Sequence, residues 1–167
     1  MSIKRRIWAL PIVATVIFGV GIAASVYFST TAINSIKTTE KIDYPVLDKV
    51  KNIQTDVQGI VDSLKQAVGE DDKKGIDAVG ERAKKVREKF KALGVLPGQQ
   101  ALGDRLNKEF DAYYGPAVTV AKIMLGMDQG DPQTAIGQMQ NSLKVLETDI
   151  SKTVEAAQNQ FAAGVEN

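Results

Sequence analysis

Residues 134–161 read TAIGQMQNSLKVLETDISKTVEAAQNQF, and this stretch decides the fold class. Its apolar residues recur at spacings of three and four, which is the period of one face of an α-helix, and polar residues fill most other positions. The apolar series is Ile136, Met139, Leu143, Leu146, Ile150, Val154, Ala157 and Phe161. We therefore predict one long amphipathic helix that must bury its apolar face against other helices.

The segments before this helix repeat the pattern. Gly126 to Pro132 is predicted to be a loop, in which Asp131 caps the fourth helix and Pro132 takes its first position. A third helix, bent at Gly115-Pro116, carries Leu102, Leu106, Phe110, Tyr113, Ala117, Val120 and Met124. A second helix, between the turns at 69–72 and 94–98, carries Ile76, Val79, Ala83, Val86 and Phe90.

The first helix carries two parallel apolar rows, and Pro45 is expected to kink it or restart it. One row supplies the predicted core positions Leu47, Val50, Val57, Val61, Leu64 and Val68. The second row repeats every seven residues and consists of Val46, Ile53, Ile60 and Ala67. Because the two rows together are wider than one bundle core needs, we predict that the second row is a homodimer interface.

Four such helices joined by short turns predict an all-α fold, an antiparallel up-down-up-down four-helix bundle. The first and fourth helices are the longest, at about 38 and 34 residues, against about 22 and 28 for the other two. We expect them to extend beyond the 94–98 turn as a two-helix stalk.

Residues 7–28, IWALPIVATVIFGVGIAASVYF, contain no charged residue and are long enough to cross a bilayer. Lys4, Arg5 and Arg6 precede them, so the positive-inside rule predicts a cytoplasmic tip at 1–6, a transmembrane helix at 7–28 and a domain at 29–167 on the opposite face. The alternative is a signal peptide cleaved near Ala23-Ala24-Ser25.

Composition narrows the classes of function. The chain has no cysteine and no histidine, which removes thiol chemistry, the commonest general base and the commonest transition-metal ligand. Without Lys4, Arg5 and Arg6 the chain has 18 basic and 20 acidic residues, which is not the charge of a nucleic-acid-binding protein. We predict a protein that is not an enzyme, with no cofactor, no metal site and no nucleic-acid partner.

Three passages carry a family resemblance: MSIKRRIW at 1–8, YPVL at 44–47 and FDAYYGPAVTVAKIMLGMDQGDPQTA at 110–135. With them, essentially the whole chain resembles the sensor half of methyl-accepting chemotaxis proteins. The resemblance implies a homodimeric receptor in a bacterial inner membrane, with a periplasmic bundle that senses a small molecule or a loaded binding protein. Ligand binding would displace one helix and so signal to a cytoplasmic module.

The second membrane helix and the cytoplasmic signalling region of that family are not in this sequence. We therefore expect a truncated chain or an incomplete gene. Two other readings stay open. The same bundle is typical of the sensors of membrane histidine kinases and diguanylate cyclases, and a membrane-anchored adaptor without a ligand would look similar.

The resemblance also suggests a ligand site. Relatives that bind carboxylates use arginines at the dimer seam, but the first helix here has none. The candidate ligand residues are Arg82, Arg87, Arg105 and Tyr114, as a basic, aromatic-edged patch between the second and third helices that suits a small organic acid. The alternative is that these arginines pair with Glu81, Glu88, Asp104 or Glu109. Tyr113 is predicted to be a core residue.

Overall fold

A computed structural model of the chain describes residues 42–165. They form four helices and contain no strand: α1 (Tyr44–Gly69), α2 (Lys73–Gly94), α3 (Gln100–Met124) and α4 (Gln133–Val165). This confirms the predicted all-α class. In this part of the chain, no helix combines the length and the apolarity needed to cross a bilayer. The predicted span at 7–28, the basic tip at 1–6 and the start of the first predicted helix lie outside the described residues.

Contacts between α1 and α2, and between α2 and α3, join residues in opposite order along the two helices. Between α1 and α2, Arg82 bonds to Ser63 and Lys89 bonds to Asp56, so residue numbers rise on one helix as they fall on the other. The same holds between α2 and α3, where Gly94 lies against Gly103 and Arg87 reaches Asp111. α4 packs against α3 and returns to α1, and α1 and α3 touch across the core.

One hydrophobic core runs through the four helices. The largest side chains that are completely buried come from α2 and α3, where the Phe90 and Phe110 ring centroids lie 5.7 Å apart. Leu106, Leu146 and Ile150 are also fully buried. The burial of these large apolar side chains is the main contribution to the stability of a small helical domain.

The row on α1 that was predicted to face a second chain lies in this core instead. Val46, Ile53, Ile60 and Ala67 are all buried within the chain itself. The prediction that this row is a surface interface is therefore wrong. The reason is that α1 contacts all three other helices, so its buried arc is wider than that of a helix with two neighbours.

The turns follow the local signals. The Asp72 side chain accepts a hydrogen bond from the backbone N–H of Lys74 at the start of α2, and Asp131 accepts one from Gln133, which confirms its predicted cap. Pro45 stands in the first turn of α1, where its missing N–H costs little, and a π-helical turn at 42–43 precedes it. Helix α3 continues through Pro116.

Helix α4 has the predicted period but packs less completely than expected. Only Leu146, Ile150 and Ala157 of its described residues are fully buried. Met139, Leu143 and Val154 are half-buried against the edge of the core. The first half of α4 therefore leaves apolar surface beside α1 and α3, and this is where a cleft forms.

Candidate functional site

The three candidate arginines lie at three different helix seams. Arg82 donates from Nη1 to the Ser63 hydroxyl on α1, at 2.8 Å, whereas Arg87 pairs with Asp111 on α3. Arg82 and Arg87 are five positions apart, which places them about 140° apart around α2. Arg105 faces α4. The predicted three-arginine patch between α2 and α3 is therefore not formed.

Arg87 and Tyr114 do come together, as predicted. The Arg87 Nε lies 2.8 Å from the Asp111 carboxylate, and the guanidinium carbon lies 5.1 Å from the Tyr114 ring centroid and 5.4 Å from that of Phe110. The Phe110 and Tyr114 rings stack at 5.5 Å. Burial raises the pKa of Tyr114, and Arg87 opposes that shift. Because Asp111 already neutralises Arg87, this cluster resembles a structural cation–π contact more than an open anion site.

Arg105 belongs to a polar groove between α3, α4 and the start of α1. Its Nε lies 3.3 Å from Asp149 and 3.8 Å from Glu109. Burial raises the pKa of Glu109, the nearby Asp149 carboxylate raises it further, and Arg105 opposes the shift. The groove has a volume of about 400 Å³, and Lys152 adds a second cation to it. Within residues 42–165, no cluster of three or more potential metal ligands forms.

An apolar cleft of about 340 Å³ lies at the other end of the domain, near the α1–α2 turn and the α3–α4 loop. It is bordered by the second halves of α1 and α3 and the first half of α4, and its walls are almost entirely apolar. The residues that line it include Val61, Lys65, Tyr113, Met124, Met139 and Leu143. The volume falls within the range of small-molecule sites in proteins.

Sequence reasoning missed this cleft. The helical period places most of its apolar residues at core positions, and a period does not show whether an apolar side chain meets a partner. The available signal was composition, since the cleft is lined by Met124 and Met139, where a tighter core would use branched residues.

Tyr113 lines the cleft and is only 2% exposed, which confirms its predicted core position. Among the described residues its hydroxyl has no hydrogen-bond partner. Burial raises the pKa of Tyr113 to about 12, and the negative charges of Glu147 and Asp62 contribute to that shift.

Comparison of the chain with known protein families, with curated proteins and with solved structures finds no match.

Proposed function

We propose that this chain is the sensor part of a bacterial transmembrane chemoreceptor that detects a small organic acid in the periplasm. Residues 7–28 anchor it in the inner membrane with residues 1–6 in the cytoplasm. The domain at 29–167, which contains the four helices as an up-down-up-down bundle, lies on the periplasmic side. The uncharged stretch at 7–28, placed directly after three cations, is the observation that carries this proposal.

The geometry of the helix ends supports it. The Tyr44 and Phe161 ring centroids lie 6.0 Å apart, so α1 begins and α4 ends at the same end of the domain. Gln99, in the α2–α3 turn, and Ala157 border one groove, and α4 continues for about 12 Å beyond Ala157 to Val165. Two neighbouring helices that lead toward a membrane can transmit a small sliding motion between them.

Cationic side chains border both the polar groove and the apolar cleft. Arg105 and Lys152 lie in the polar groove, and Lys65 lies at the apolar cleft. These cations support an acid as the ligand, because they are the groups that pair with a carboxylate. The Arg87 cluster contributes less, since Asp111 already occupies its guanidinium.

A hybrid receptor tests the proposal. Residues 1–167 are joined to the second membrane helix and signalling region of a known chemoreceptor, and the activity of its coupled kinase is measured during a screen of organic acids. We expect at least one acid to change the activity reversibly. The host receptor without residues 1–167 is the control.

A silent hybrid that is inserted and correctly oriented would contradict the proposal and favour the membrane-anchored adaptor. One observation favours that second candidate: Arg87 and Arg105 both pair with carboxylates of the chain itself. The sensor of a histidine kinase or a diguanylate cyclase shares the proposed binding function, and its output would depend on a different signalling region.

A further inference from the structure

We infer that the apolar cleft binds the apolar body of a small amphipathic carboxylic acid, whose carboxylate lies at the rim beside Lys65. This inference rests on the proposed function, because it names the class of organic acid that the sensor detects. It also assigns a binding site to residues that the arginine hypothesis did not include.

The walls of the cleft select for an apolar ligand. Val61, Leu143 and the two methionines present hydrocarbon and thioether surface, and little polar surface is available. A compact polar acid would lose its hydration there without gaining hydrogen bonds, which is unfavourable. An aromatic or aliphatic body gains from leaving water, and flexible methionine side chains adapt to its shape.

The cleft also leaves groups incompletely covered. Met124 is 60% exposed at the end of α3, and Met139 and Leu143 are half-buried. The Tyr113 hydroxyl has no partner among the described residues. A bound molecule with an apolar body would cover the apolar groups, which the packing of residues 42–165 leaves in contact with water.

The charges around the cleft orient the ligand. Lys65 is exposed, borders the cleft and forms no ion pair with any described residue. The negative charges of Asp62 and Glu147 help to raise the pKa of Tyr113, so they would also repel a ligand carboxylate placed near that hydroxyl. The favourable place for the carboxylate is therefore the Lys65 side of the cleft.

Methionine methyl groups provide the test, because the chain has four methionines and two of them line the cleft. The full chain, labelled with ¹³C at the methionine methyls and held in lipid nanodiscs, is titrated with 4-phenylbutyrate, 4-phenylbutan-1-ol and 4-phenylbutylammonium. These probes share one apolar body and differ in charge. We expect saturable shifts of the Met124 and Met139 signals, with the acid binding most tightly, and an unchanged Met1 signal.

Lys65→Gln should weaken binding of the acid about two- to fivefold and leave binding of the alcohol unchanged. Lys51→Gln is the matched control, because Lys51 is an exposed lysine nearer the start of α1 and away from the cleft. It should change the binding of neither the acid nor the alcohol. Leu143→Trp should fill part of the cleft and reduce binding of both probes. Because Leu143→Trp could disturb folding, its melting temperature is measured, and Lys65→Gln tests the inference independently.

The absence of shifts with all three probes would overturn the inference. So would equal affinity for the acid, the alcohol and the amine, or binding that Lys65→Gln does not change. If the hybrid receptor responds to an organic acid that leaves Met124 and Met139 unperturbed, this inference fails and the proposed function stands. If the methyl signals shift while the hybrid stays silent to every acid, the proposed function fails and the site stands.

Discussion

Tyr113 shows how a single residue links the core to the cleft. It lies in the apolar series of α3 and is almost completely buried. Its hydroxyl is nevertheless influenced by the carboxylates of Glu147 and Asp62, and it forms no hydrogen bond with any of residues 42–165. Such a group is tolerated only while it stays neutral, because burying a phenolate next to negative charges is costly.

The folded domain should therefore lose stability at high pH through Tyr113. The pKa is 10.0 in the unfolded chain and about 12 in the folded one, so the stabilising contribution of the neutral phenol is complete below pH 10 and is lost as the pH rises toward 12. Relative to Tyr113→Phe, the wild-type free energy of unfolding should fall by about 1 kcal/mol between pH 8 and pH 11. Urea unfolding at each pH measures this difference.

Tyr44→Phe is the matched control, because it removes a phenol from an exposed position. A difference between wild type and Tyr113→Phe that stays constant across this pH range would contradict the prediction.

Ile53 tests the corrected role of the second row on α1. It is fully buried within the chain, so Ile53→Ala should lower the free energy of unfolding by about 3 kcal/mol through lost burial and a residual cavity. Val145→Ala, at a side chain that is 52% exposed, should cost less than about 0.5 kcal/mol. Chemical denaturation followed by circular dichroism gives both values.

The same position distinguishes core from dimer seam. A cysteine introduced by Ile53→Cys should not crosslink to a second copy under mild oxidation, because its side chain is enclosed by its own helices. A rapid crosslink together with an Ile53→Ala variant of unchanged stability would restore the original interface.

At the scale of the element, the backbones of α2 and α3 come close together at Gly103. A Cβ atom there would lie 2.6 Å from the Phe90 carbonyl oxygen and 2.8 Å from the Gly94 nitrogen, both of which are backbone atoms that cannot turn aside. The close approach explains why Gly103, which no apolar pattern selects, is buried in the helix interface. The α2–α3 hairpin depends on this small residue.

Gly103→Ala should therefore destabilise the domain by about 2 kcal/mol, because α2 and α3 must move apart. Gly59→Ala is the matched control within α1. Nothing lies within 4 Å of its added Cβ, and alanine should stabilise the helix by about 1 kcal/mol. Melting curves of the two variants should shift in opposite directions, and a neutral or stabilising Gly103→Ala would show that the crossing is looser than described.

At the scale of the whole molecule, the positions of the first and last helix ends determine where the apolar cleft lies relative to the membrane in the proposed topology. α1 begins and α4 ends side by side, and the apolar cleft lies at the opposite end. In the proposed topology the cleft is thus far from the bilayer and open to the periplasm.

Cysteine labelling in intact cells tests this topology, because the chain has no cysteine of its own. We expect a membrane-impermeant maleimide to label the Ser151→Cys variant, at an exposed position on α4, and to label Ser2→Cys only after the membrane is permeabilised. The opposite pattern would reverse the orientation. Loss of the Ser2→Cys site from the mature chain would instead indicate a cleaved signal peptide.

Helix number, the turns and most core positions follow from local sequence. Spacings of three and four near Phe90, Phe110 and Ile150 report a helix because neighbours along one face of a helix are set by its own period. Asp131 caps α4 for an equally local reason, since it bonds to an N–H two residues away.

The rotation of each helix about its axis and the choice of its neighbours were decided only by the tertiary structure. These determined that Ile53 and Ile60 lie in the core, that Arg82, Arg87 and Arg105 separate to three seams, and that a cleft opens beside α4. The physical reason is that a repeating pattern identifies an apolar face, whereas packing of all four helices at once determines which part of that face is covered.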